Sequence, residues 1–153
     1  MRVAISITAL LISICFIQFA DAEELIELKV RGGISHKALI YEGGSSKAAV
    51  LAHQSGETME SWRKFANILA DRGVASISLS SLTPDDVSAA VRYLEIKHYG
   101  DITLVGASFG GGAITQALAT GDLENIKKVV LLSLSSALKT IGHTFPISLK
   151  FFS

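Results

Sequence analysis

Short apolar runs alternate along the chain with longer amphipathic stretches, and each kind predicts a different element. Leu25–Val30 alternates apolar and polar residues, the pattern of a half-buried strand, and Arg31-Gly32-Gly33 ends it. His36–Tyr41 reads as a second short strand closed by Gly43-Gly44-Ser45-Ser46, so the pair predicts a hairpin-like antiparallel start. Ala48–Ala52 ("AAVLA") is continuously apolar and predicts a strand buried on both faces. From Thr58 to Arg72 the period changes to that of a helix. Met59, Trp62, Phe65, Ala66 and Leu69 share one stripe, predicted as core, while Arg63, Lys64, Asn67 and Asp71 lie off it. Gly73 stops this helix, and Val74–Leu79 is the next strand. Thr83-Pro84-Asp85-Asp86 opens a second helix with a capping hydroxyl, a proline at the first position and two acids in the first turn. That chemistry accounts for both aspartates without an acid pair for catalysis or metal. Val87, Ala90, Val91 and Leu94 form its buried stripe. Ile102–Val105 and Val129–Leu132 ("VVLL") predict strands flanking a helix over Gly110–Ala119, which Gly121 ends. In the tail, Phe145, Ile147, Leu149 and Phe151 alternate with Pro146, Ser148, Lys150 and Phe152, predicting one more strand behind Pro146.

Strands alternating with helices imply right-handed crossovers and an α/β architecture. The expectation is a three-layer, mainly parallel sheet with helices on both faces and an antiparallel start. Composition allows one such domain: the chain has 153 residues, 49% hydrophobic and 18% charged. Lys plus Arg equals Asp plus Glu at 14 each, with no basic stripe, which argues against a nucleic-acid partner. There is no internal repeat, low-complexity tract or evident linker.

The N-terminus carries a different signal. Arg2 precedes the mostly apolar stretch Val3 to Ala20, and Ala20-Asp21-Ala22 has the small–x–small form of a cleavage site before Glu23-Glu24. Residues 1–22 therefore read as an export signal and 23–153 as the domain, with a periplasmic or secreted location expected. Left uncleaved, the run approaches the ~18 residues that make a membrane anchor. Cys15, the one cysteine, follows Ile14 rather than the small residue of a lipid-attachment site, and it would leave with the signal. The remaining domain then has no disulfide, no cysteine nucleophile and no cysteine-ligated zinc. The four histidines, at 36, 53, 98 and 143, show no metal-ligand spacing, so no metal is expected.

The chemistry concentrates in "DITLVGASFGGGA", residues 101–113. A buried strand ends at Val105, a helix begins by about Gly110, and Ser108 lies at the turn, in the G-x-S-x-G arrangement of a nucleophile elbow. Side chains at Gly106 and Gly110 would collide with the neighbouring strand and helix. Gly111 and Gly112 extend the tolerance. After the third strand comes His53-Gln54-Ser55-Gly56. An acyl-transfer site needs two preorganised N–H donors for its oxyanion. One is expected from Phe109, the other from this loop, at Ser55 or next at Gln54. His53 precedes Ser108 in the chain and is expected to buttress the loop rather than act as base.

The segments "AAVLAHQSGETMESWRKFANILADRGVASISLS" and "DITLVGASFGGGAITQALA" resemble the N-terminal half of an α/β-hydrolase of the small esterase or dienelactone-hydrolase-like kind, over residues 25 to about 134. The resemblance implies Ser108 as nucleophile, an oxyanion hole at Phe109 and the Ser55 region, an ester-like small-molecule substrate and no cofactor. It departs from the family at His53-Gln54, where His-Gly is common, and in the short stretch after Leu79. It also implies the order Ser, then acid, then His. After Ser108 the chain offers Asp122 and Glu124, which read as loop charges, and His143 with no acid partner. The expectation is a hydrolase shortened at its C-terminus, with activity weak or lost. The alternatives are a non-catalytic binding or scaffold module, and a hydrolase completed by a partner chain. A shortened sheet would leave Val129–Leu132 at or one step from an edge, open to self-association through residues 129–152.

Overall fold

The computed structural model describes residues 23–120, 122–132 and 149–152, with no side-chain account of 149–152. The signal segment, Cys15 and His143 lie outside these residues, as does the start of the tail strand. Seven strands are ordered β1-β2-β4-β3-β5-β6-β7 in one sheet. They are β1 (Glu24–Lys29), β2 (Ser35–Tyr41), β3 (Lys47–Ala52), β4 (Ala75–Leu79), β5 (Asp101–Ala107), β6 (Ile126–Leu132) and β7 (Leu149–Phe152). The helices are α1 (Arg63–Asp71), α2 (Pro84–Ile96) and α3 (Phe109–Ala119). β1 pairs β2 and β2 pairs β4 antiparallel, and every other pairing is parallel. This is the mixed α/β sheet with an antiparallel start that the sequence predicts.

Two cores lie on opposite faces, because side chains alternate along each strand. Val50, Ile77, Leu104 and Leu131 face Val87, Val91 and Leu94 of α2 and Ile114 of α3. Leu39, Tyr41, Leu51 and Val105 face Ala66 of α1. The chain steps from β3 through α1 to β4, then crosses back through α2 to β5 and on through α3 to β6. The winding therefore reverses at β3, and the crevice beyond the carboxyl ends of β3 and β5 is a topological switch point, where open α/β sheets place their sites.

Local chemistry agrees with the expectation at α2. Thr83 accepts from the Asp86 N–H at 3.2 Å, Asp86 accepts from the Thr83 N–H at 2.9 Å, and Pro84 occupies the first turn. At α1 the structure corrects the sequence reading twice. The helix expected from about Thr58 instead opens with a 3-10 turn, Met59–Trp62, before the helix proper, and the Thr58 hydroxyl donates to Glu60. Only Ala66 of the predicted stripe is fully buried within α1, and Phe65 stays 39% exposed. Val129–Leu132 falls within β6, which pairs with β5 on one side and β7 on the other. It is thus one step in from the edge. No described helix is long and apolar enough to cross a membrane.

Candidate active site

Ser108 occupies the single residue between β5 and α3, with φ 47° and ψ −107°. A residue with a Cβ rarely adopts positive φ, and at this ψ it is strained by roughly 1–3 kcal/mol. Neighbouring elements hold it there. The Ser108 N–H donates to the Leu132 carbonyl at the end of β6, 2.9 Å away, and its carbonyl accepts from the Gly112 N–H at 3.2 Å. Ser108→Gly is therefore expected to raise stability by about 1 kcal/mol in urea unfolding, while Ser108→Ala brings no such gain.

The flanking glycines are required by close approach. A Cβ at Gly106 would lie 2.7 Å from Gly111 Cα and 2.8 Å from Ile114 Cδ1. One at Gly110 would run into the Ala52 carbonyl and lie 2.5 Å from the His53 carbonyl oxygen. The first turn of α3 is thus pressed against the end of β3, so the turn at Ser108 and the loop 53–56 are neighbours across the switch point. Gly112 has open space around its Cβ position and needs no such explanation.

Within the loop, Gln54 and Ser55 are exposed and His53 is buried. The Gln54 carbonyl accepts from His53 Nδ1 at 2.8 Å and from the Glu57 N–H at 3.2 Å, and the Gln54 side chain donates to Glu57 at 2.8 Å. A carbonyl only accepts, so His53 Nδ1 carries a proton in this pairing. Nε2 is buried and has no partner among the described residues. Phe109 opens α3, and the first N–H groups of a helix have no partner within it. Its ring is 62% exposed. Among the described residues, no histidine or carboxylate hydrogen-bonds Ser108 Oγ. Asp122 and Glu124 precede β6 at the amino ends of the parallel strands, the opposite edge of the sheet, and Asp122 pairs loosely with Arg31 at 3.9 Å. No group of His, Cys, Asp and Glu that could hold a metal occurs among the described residues.

Two titratable clusters escaped the sequence reading. His36 Nδ1 meets Asp86 Oδ1 at 2.5 Å, and Asp86 is 1% exposed. Burial pushes the Asp86 carboxyl up, but hydrogen bonds from Thr83, His36 and Ser81 outweigh it, and the group lies below its ordinary range. His36 is on β2, three strands from β5, or about 14 Å at ordinary strand spacing, too far to serve Ser108 directly. The second cluster joins Glu23 to Arg63 at 2.6 and 2.8 Å and to the Tyr41 hydroxyl at 2.9 Å. Burial, then the Glu23 carboxylate, pushes the Tyr41 hydroxyl up to about 12. Neither pairing has a local spacing to betray it, because the partners are far apart in sequence.

No family model matches the sequence, and comparison with curated proteins found none that does. Solved structures do match. An esterase of Pyrococcus furiosus superposes with a TM-score of 0.64 at 15% identity, over 73% of this chain and 52% of its own. The esterase domain of a Rhodothermus marinus protein gives 0.61 at 18%, over 73% and 50%. The Vigna radiata epoxide hydrolase VrEH1 gives 0.58 at 22%, over 74% and 39%. The architecture is that of the α/β-hydrolases. The chain spans about half the length of these proteins or less.

Proposed function

We propose that the chain is a serine hydrolase-like protein for ester or related acyl substrates, with Ser108 as nucleophile and with weak or no turnover. The observation that carries this reading is the strained backbone of Ser108, held at the carboxyl edge of the sheet by glycine-only contacts. Strain of this kind persists where the surroundings over-determine it, and it clusters at functional sites. In the productive arrangement, Ser108 Oγ attacks an acyl carbonyl whose oxygen is met by the Phe109 N–H and by an N–H of the 53–56 loop, from Ser55 or Gln54. Both donors are backbone groups, already oriented before charge develops. The serine proton needs a base, and none of the described residues provides one. A hydroxyl without a base is a poor nucleophile at neutral pH, while oxyanion donors and binding alone leave a small residual rate. The apolar segment before residue 22 supports export, hence a periplasmic or secreted setting.

A second reading, completion by a partner chain that brings acid and base, is favoured by one fact: the matched part of this chain covers only about half of each matched esterase. A fluorophosphonate probe distinguishes the readings. Weak labelling that Ser108→Ala abolishes is the expected result. Fast labelling by the isolated chain means an activated serine and a base within this chain. Labelling that becomes fast only with a partner supports completion. No labelling at all leaves a binding or scaffold role for the same cleft.

A further inference from the structure

The two faces of the sheet are covered unequally. α2 and α3 cover one. Among the described residues, α1 and the 3-10 turn before it cover the other, packed over β4 and β2. Beside α1 a groove of about 560 Å³ runs over β3, β5 and β6, lined by Ala49, Trp62, Phe65, Leu69, Val105 and Val130. From β4 to β5 is two strand spacings, about 9–10 Å. Packed helices lie about 8–10 Å apart. The groove is therefore one helix wide. The ridge beside it is also unfinished: Phe65 is 39% and Ile68 38% exposed, continuing the apolar surface of Trp62 and Leu69 round the outside of α1.

We propose that two copies of the chain associate through this face, with α1 of each lying in the groove of the other. The symmetry follows from the geometry. A two-fold axis across the strands would stack α1 on α1 and leave both grooves open. An axis along the strands, between helix and groove, exchanges them and closes both. Phe65, on the groove side of α1, then meets its own counterpart across the axis. Ile68, on the outer side, points at Val105 and Val130 of the other sheet. Charges agree with this choice. The helices run in the same direction, so the carboxyl end of one α1, with Asp71 and Arg72, lies at the amino ends of the other copy's strands. Those ends carry Lys47 and Lys128 beside Asp101. Asp71 and the helix dipole face the lysines, and Arg72 faces Asp101. Such an interface is isologous and closes as a dimer. It leaves the carboxyl edge with Ser108 free.

Light scattering coupled to size-exclusion chromatography of the full chain tests the arrangement. The expected mass is twice that of the monomer at tens of micromolar, and Ile68→Glu weakens the dimer at least tenfold. In a Cys15→Ser background, Phe65→Cys forms a disulfide-linked dimer with an added thiol oxidant, while Asn67→Cys, on the opposite flank of α1, does not. A monomer at all concentrations overturns the proposal. So does equal cross-linking at Asn67, or a dimer that ignores Ile68→Glu and is dispersed by Lys150→Pro at the β7 edge.

Discussion

Gly110→Ala lowers stability by about 2–3 kcal/mol, read as a fall in the urea midpoint at unchanged slope. The added methyl meets the carbonyls of Ala52 and His53, and these are backbone groups at the end of a central strand. A flexible side chain would swing aside; a β3 carbonyl moves only with its strand, which is paired to β4 and β5 on both sides. The strain reaches Ser108, two residues away, and the 53–56 loop together, so the probe labelling of Ser108 falls with the stability. Gly112→Ala is the matched control. Its Cβ meets nothing within 4 Å, and at a helical position the change contributes about 0.5–1 kcal/mol of stability. Opposite signs at two glycines of one triplet separate close packing from helix propensity.

Asp86→Ala costs about 2–4 kcal/mol, since it removes a buried acceptor of several hydrogen bonds, two from Thr83 and one from His36, and with them half of the α2 capping box. The pH dependence has a defined sign. The folded-state pKa of Asp86 lies below its ordinary value of 3.8, despite the burial that opposes the shift. Its stabilising contribution is therefore complete above that value and is lost as pH falls through the lower folded-state value. The variant should show a shallower acid limb than the parent, measured by denaturant midpoints from pH 6 downward. An unchanged acid limb would assign the carboxylate no linkage to folding.

The strand-to-helix turn at Ser108 was legible because its information is local. Gly106, Ser108 and Gly110 lie within one turn, and the apolar run before them announces the strand. The buried strands were legible for the same reason, since an unbroken run such as Ala48–Ala52 has few other uses. Where the reading failed, the deciding contact was distant or was missing. The stripe on α1 shows correctly that one side of the helix is apolar, but periodicity does not say what covers it, and Phe65 was assigned to a core that does not reach it. Asp86 was recognised as a helix-start acid; its bond to His36 joins positions fifty residues apart. The first helix was expected from about Thr58, yet a 3-10 turn takes up its first four residues.

The strand order also governs when the molecule can assemble. β3 lies at the centre of the sheet, yet both of its neighbours, β4 and β5, come after it in the chain. Val50 pairs with Ile77 on one side and Leu104 on the other. A chain leaving the ribosome thus carries β3 as an unpaired apolar segment until β4 and then β5 have followed it. Pairings of such long sequence separation pay their loop-closure entropy first and slow folding accordingly. A slow-closing centre therefore keeps the polypeptide open and threadable until β5 has been made.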